Sequence, residues 1–322
     1  VFRASNPTVE QLFETYQATR DFVPEVVVAV GGGSILDVGK SLCCLYGTDL
    51  PDADSLRRLI EEKSYGHPAA RWIGVPTTAG TGSEVTCWAT IWDPERDAKR
   101  SVECRENYAF AALVDPELAA GMPVTLAVSS ALDAAAHAVE SYWAKGTNAV
   151  SRGLALEAIR TIMGHMDGLL AGTMEAHEAM ARGSMLAGLA FSNTKTTACH
   201  SISYPLTMHC GIPHGAAVSM LLGPVFQLNA QALARPEPLL DALGVSSPKE
   251  LAEKVCGILR RSGQPATLKE WGTQREELPR LARLGMTKGR ADNNPVPIEP
   301  ATILSILEQI YDSSCKLTRK GA

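Results

Sequence analysis

Apolar positions follow two different rhythms along this chain. Before residue 122 they come as short β-branched runs that stop at small-residue loops; after it they recur at helical spacing in long Ala-rich stretches. Val26-Val27-Val28-Ala29-Val30 is an unbroken run of the kind that makes a buried parallel strand. Gly31-Gly32-Gly33-Ser34 ends it, and residues 35–45 look helical, with Leu36, Val38 and Leu42 among the apolar positions. Residues 7–20 read as a preceding helix, with Asn6 or Thr8 as N-cap. A second strand is expected at 70–75, ended by Pro76 and followed by the loop Thr77-Thr78-Ala79-Gly80-Thr81-Gly82-Ser83. Short strands are expected at 89–92 and 111–114. Beyond Gly121-Met122-Pro123 the pattern predicts helices at 126–143, 151–170 and 175–191, breaks at Pro205 and Gly211-Ile212-Pro213, and amphipathic helices at 247–263 and 300–316. The chain is therefore expected to join an α/β nucleotide-binding domain, residues 1–122, to an all-α domain, residues 123–322.

Composition narrows the function classes. With 45% hydrophobic and 20% charged residues in 322, the chain can bury a large core and does not read as disordered. A net charge of -5 argues against a nucleic-acid partner, which needs clustered Lys and Arg. No run approaches the roughly 18 uninterrupted apolar residues of a membrane span. No charged-then-apolar leader is visible at the start, so no secretory signal is expected. The eight cysteines form no C-x-x-C pair, which suits reduced thiols in a cytoplasmic protein better than a disulfide scaffold or zinc ribbon.

Three features carry candidate chemistry. Gly31-Gly32-Gly33-Ser34, between a strand and a helix, lets backbone N–H groups approach a phosphate at a helix N-terminus. Alone it is equally a tight turn, and Asp37, one helical turn inward, is either a ribose or cofactor-amide ligand or a first-turn dipole partner. The hydroxyl-rich loop 77–83 is a second such feature after a second strand, where open α/β sheets bind ligands. The third is the strongest. Asp133 and His137 are spaced i, i+4 and share one helical face, and His200 and His214 follow 14 residues apart. A lone histidine is more often structural, but one carboxylate and three imidazoles make a four-ligand set for a divalent metal such as Fe(II) or Zn(II). His67, His165, His177 and His209 are read as surface or core residues.

These segments together resemble the group III metal-dependent, or iron-containing, alcohol dehydrogenases. The resemblance rests on the run from Val28 through Gly31-Gly32-Gly33-Ser34 to Asp37 and Lys40, on Pro76 to Thr86, and on Leu113-Val114-Asp115-Pro116-Glu117-Leu118. It continues with Asp133 and His137, His200, His214-Gly215, and Asp292-Asn293-Asn294-Pro295, in family order over nearly the whole chain. It implies a Rossmann-like NAD(P)-binding domain with a parallel sheet, a helical domain, and a metal in the cleft between them. It implies Asp133, His137, His200 and His214 as ligands, and Gly32, Gly33, Ser34 and Asp37 at the cofactor. Thr77, Thr78, Thr86 and Lys99 would line its diphosphate and nicotinamide side, with Leu118 packed nearby. The reaction implied is hydride transfer between NAD(P)H and a carbonyl carbon, the metal acting as Lewis acid. Two departures from the family pattern stand out. Members usually carry a longer stretch before the position of Asn6-Pro7-Thr8, holding the first strands and contributing to a homodimer. Many also have a histidine four residues after the ligand matched by His200, a candidate proton relay; here that residue is Tyr204, a weaker acid with a pKa of about 10.

The segment Asn193-Thr194-Lys195-Thr196-Thr197 is unusually polar for the approach to a metal site. Lys195 with Thr196 and Thr197 suits an anionic substrate, against the plainer reading of a solvated helix-end lysine. This segment resembles the branch of the family that reduces phosphonoacetaldehyde to 2-hydroxyethylphosphonate. The alternatives are a general short-chain alcohol or lactaldehyde-type dehydrogenase, a lyase resembling dehydroquinate synthase, and a non-catalytic metal-binding remnant.

Overall fold

A computed structural model describes residues 6–22, 24–96, 98–287 and 289–312. Its strands are β1 (Val26–Gly31), β2 (Arg71–Pro76), β3 (Trp88–Asp93), β4 (Ala98–Glu103) and β5 (Ala111–Ala112). β1, β2 and β5 form a parallel sheet in the order β1-β2-β5, with Val26 opposite Arg71 and Ile73 opposite Ala111. The helix Gly33–Leu45 packs on one face of this sheet, where a Cβ on Gly39 would lie 2.8 Å from that of Ala29. The first strand-loop-helix unit thus folds as the run of valines and the triple glycine predict. The other face of β1 is uncovered among the described residues: Val26, Val28 and Val30 are 45%, 59% and 55% exposed, so the expectation of a fully buried strand fails at this sheet edge.

The strand expected at 89–92 forms, but it pairs antiparallel with β4, outside the parallel sheet. β4 has no apolar alternation to announce it. The helix Ala53–Glu62, capped by the Asp52 carboxylate on the Ser55 N–H, was not predicted either. Arg57 anchors it to β3 through Asp93 (3.2 Å), and Arg100 of β4 meets the same carboxylate (2.6 Å). The first helix runs Val9–Thr19, with Thr8 as the N-cap in a capping box with Gln11.

After residue 123 the described residues are helices and connections. Val124–Trp143, Ala149–Gly164 and Met174–Thr194 pack tightly against one another, their buried alanines allowing close approach. The single helix expected at 151–170 is divided at Gly164-His165, with Met166–Leu170 following. Pro205 does not break the chain: it lies inside the helix Ala198–Cys210. An interior proline costs about 3 kcal/mol, and here every residue from Ala198 to Leu206 is buried, so core packing holds the helix together. Pro248–Arg261 and Pro300–Gln309 correspond to the two amphipathic stretches; positions 313–316 of the second, with Cys315, lie outside the described residues. No helix among the described residues is long and apolar enough to cross a membrane. The architecture is a Rossmann-like parallel-sheet unit followed by a helical unit.

Lys40 ties the sheet unit together. It is fully buried, and its Nζ donates to the Ser83 carbonyl (2.8 Å), Ser83 Oγ (2.9 Å), Thr86 Oγ1 (3.0 Å) and the Trp88 carbonyl (2.8 Å). Burial pushes its pKa down, opposed by Asp37 at 3.7 Å.

Candidate active site

Three helices supply the metal-type residues. Val124–Trp143 is buried along its last sixteen residues bar one, and presents Asp133, His137 and Glu140 on one face. Ala198–Cys210 brings His200 in its first turn, and His214 opens the helix His214–Met220. Gly215 makes the third approach possible, because a Cβ there would sit 1.9 Å from the Ser129 carbonyl oxygen.

Asp133 Oδ1 lies 3.4 Å from His200 Nε2 and 3.7 Å from His214 Nε2. The ligand atoms of these three residues fall within 4.8 Å of one another. Among the described residues Asp133 Oδ1 and His200 Nε2 are buried without a hydrogen-bond partner, as are His137 Nδ1 and His214 Nδ1. Buried polar atoms left unpartnered are costly, and a carboxylate with converging imidazole nitrogens is the donor set that a divalent cation satisfies. The residues present therefore fit the metal. His137 is adjacent rather than convergent: its ring stacks between Phe191 (centroids 4.2 Å) and His200 (4.3 Å).

Burial alone would raise the Asp133 carboxyl, but His137, His214 and His200 hold it well below its usual value. Burial lowers His137 to about 4 and His214 to about 3, leaving both imidazoles neutral and able to ligate. His200 behaves differently. Burial opposes its charge, yet Glu140 and Asp133 raise its pKa.

Glu140, absent from the expected site, is the residue that orients His200. Its Oε2 accepts from His200 Nδ1, while Oε1 accepts from Thr197 Oγ1 (2.7 Å) and the Cys199 N–H (2.6 Å). One carboxylate thus caps the helix Ala198–Cys210 and fixes which imidazole nitrogen faces Asp133. Its place three residues after His137 and seven after Asp133 was a readable signal.

A cavity of about 610 Å³ runs from this cluster to the loops after β1 and β2. Gly33, Ser34, Asp37, Thr86 and Lys99 line it, opposite Asp133, His137, His200, Tyr204 and His214. Asp37 is already engaged, accepting from Ser83 Oγ (2.6 Å) and the Thr90 N–H (2.8 Å). Thr86 is held by Lys40. Gly32, Thr77 and Thr78 sit just past the ends of β1 and β2 but not on the cavity wall. Leu118 is 43% exposed on the short helix Glu117–Ala120 and is not among the residues that line the cavity.

The polar segment 193–197 divides on folding. Thr197 is not a substrate contact: it is fully buried, bonded to Glu140 and accepting from Trp143 Nε1 (2.8 Å). Lys195 reaches the cavity rim, but its Nζ pairs with Glu103 Oε1 at 2.7 Å, so its charge is already matched. Thr196 lines the cavity and accepts from Arg290 Nε (3.2 Å). Tyr204 is buried, its ring stacked on His214 (5.7 Å, 13°), with Lys99 Nζ 3.4 Å from the ring centroid. Burial pushes the phenol up to about 12. Burial, then the charge of Arg290, lowers Lys99 well below its usual range.

Models of the iron-containing alcohol dehydrogenases match residues 2–116, and of the C-terminal part of that family residues 127–311. The chain belongs to the iron-containing alcohol dehydrogenase family. It is 30% identical over 312 residues to lactaldehyde reductase of Escherichia coli, covering 94% of this chain and 80% of that protein. It is 35% identical over 217 residues to phosphonoacetaldehyde reductase of Streptomyces viridochromogenes, covering 64% and 53%. Sulfoacetaldehyde reductase from Bifidobacterium kashiwanohense, solved in complex with NAD+, superposes with a TM-score of 0.87 at 29% identity, covering 96% of this chain and 82% of that one. As a member of this family the chain is an alcohol dehydrogenase or aldehyde reductase.

Proposed function

We propose that the chain reduces phosphonoacetaldehyde to 2-hydroxyethylphosphonate, with NAD(P)H as hydride donor. The observation that carries this reading is the charge of the cavity beside the metal-type residues. Arg290 faces it, and among the described residues no carboxylate lies within ion-pair distance of its guanidinium. An unmatched guanidinium beside a reaction centre suits a substrate with an anionic far end. Phosphonoacetaldehyde and sulfoacetaldehyde, named in two of the relatives, are both short aldehydes of that kind.

Asp133, His137, His200 and His214 would hold the metal, Fe(II) in first place and Zn(II) in second. Bound there, it supplies Lewis-acid polarisation of the aldehyde oxygen. Residues 1–122 would hold the cofactor, with Gly32, Gly33 and Ser34 at its phosphates and Asp37, Thr77, Thr78, Thr86 and Lys99 around it. Bound there, NAD(P)H would supply the hydride that the carbonyl carbon accepts, and the oxygen would need a proton. Tyr204, on the cavity wall with its ring stacked on His214, would give that proton. With its pKa pushed to about 12, it stays protonated at neutral pH and acts as a donor. The second reading is a lactaldehyde-type reductase, favoured by the nearly full-length match to the Escherichia coli enzyme.

Rates of NAD(P)H oxidation by the Fe(II)-loaded protein separate the two. The expected result is a kcat/KM for phosphonoacetaldehyde at least about tenfold above those for lactaldehyde and propanal, the factor one charge-assisted contact supplies. Equal or higher values for the neutral aldehydes replace the first reading with the second.

A further inference from the structure

We infer that Arg290, together with the Thr196 hydroxyl, grips the anionic end of the substrate, and that Asn293 is the residue that aims it. This rests on the anionic-aldehyde reading above. Arg290 is half-buried on the cavity wall, with Cζ 5.2 Å from the centroid of the Tyr204 ring. The same ring stacks on His214. One aromatic side chain therefore contacts both the guanidinium and an imidazole of the metal-type cluster, and all three line the same cavity.

The guanidinium is also free to bind. Among the described residues only its Nε is engaged, with Thr196, which leaves the two terminal nitrogens as a planar fork of donors. Such a fork matches two oxygens of a phosphonate or sulfonate. The acid nearest in sequence, Asp292, instead accepts the N–H of Gly289 (3.1 Å). Lys195, by contrast, is matched by Glu103.

The loop carrying Arg290 is pinned at both ends. Thr287 N–H donates to Ser201 Oγ (2.8 Å), and Ser201 Oγ donates to the Gly285 carbonyl (2.5 Å). Asn293 Nδ2 donates to the carbonyls of Thr194 (2.8 Å) and Thr196 (3.0 Å), and its own carbonyl accepts from the Lys145 N–H (3.0 Å). Arg290 and Thr196 are thereby locked to each other by a side chain that never faces the cavity. A preorganised pair of donors loses little on binding, which is how a small anion is selected.

The test compares wild type, R290Q, R290K, K195Q and N293A. For each, kcat/KM is measured with phosphonoacetaldehyde, sulfoacetaldehyde and propanal, and the anionic-to-neutral ratio is taken. Calorimetric titration with ethylphosphonate reads binding without turnover. R290Q is expected to lower the ratio about 10- to 100-fold for both anions and to weaken ethylphosphonate by a similar factor. R290K, which keeps the charge but not the fork, falls between, and N293A acts through KM rather than kcat. K195Q changes the ratio less than about threefold, the scale of an exposed ion pair. A wild type that prefers the anions, with the ratio intact in R290Q and lost in K195Q, overturns the inference and leaves the anionic-aldehyde reading standing. A wild type with no anionic preference overturns that reading, and the inference with it.

Discussion

Glu140 is the clearest case of a residue acting through another. Its carboxylate is fully buried, and burial alone would raise its pKa; His200 and the Thr197 hydrogen bond hold it down instead. It turns His200 so that Nε2, not Nδ1, faces Asp133. Glu140→Gln is expected to weaken divalent-metal affinity about 10- to 100-fold, as loss of an orienting carboxylate does; chelator competition measures it, and an unchanged affinity contradicts the role. At this scale the cluster was legible where spacing carries the information. Asp133 and His137 share a helix face by their i, i+4 separation, and the same rule reaches Glu140. The pairing of Lys195 with Glu103 and of Thr197 with Glu140 was not legible, because these partners are distant in sequence. Polarity alone does not say which hydroxyl faces a cavity and which a core. Arg290 gave no signal at all, since it sits in a loop whose aim is fixed by Asn293 and Ser201.

Elements place these residues by close approach. Gly215 lets the helix His214–Met220 touch the helix Val124–Trp143 at Ser129. Gly215→Ala forces the helices apart and carries His214 with them. The expected result is a loss of about 1–3 kcal/mol or more in stability and weakened metal retention, read by thermal unfolding and metal content; a variant unchanged in both contradicts the packing. The long helices were legible because buried alanine-rich faces repeat over many turns. β4 and the helix Ala53–Glu62 were not, since polar networks through Asp93 hold them rather than an apolar stripe. Pro205 misled for the opposite reason: local propensity was overruled by burial on all sides. β1 shows that an apolar run signals a strand but not whether both its faces are covered.

The whole molecule brings two cores together around one cavity. One core lies among residues 9–104, and the other runs through the later helices and takes in Ala79 from the loop after β2. The join is tight at Gly82, in the left-handed region at φ +57, where a Cβ would meet Gly188 Cα at 2.6 Å. That junction sets the loops after β1 and β2 against the metal-type cluster, so the residues proposed for the cofactor and those proposed for the metal come from different halves. The most direct test strips the protein with a chelator and follows NAD(P)H oxidation with phosphonoacetaldehyde as Fe(II) or Zn(II) is added back. Turnover is expected to vanish on stripping and return at about one metal per chain, the stoichiometry of a single closed ligand set, while His200→Ala neither retains metal nor recovers. Undiminished turnover in the stripped protein, or in His200→Ala, contradicts the central claim that these helices converge to build a catalytic metal centre.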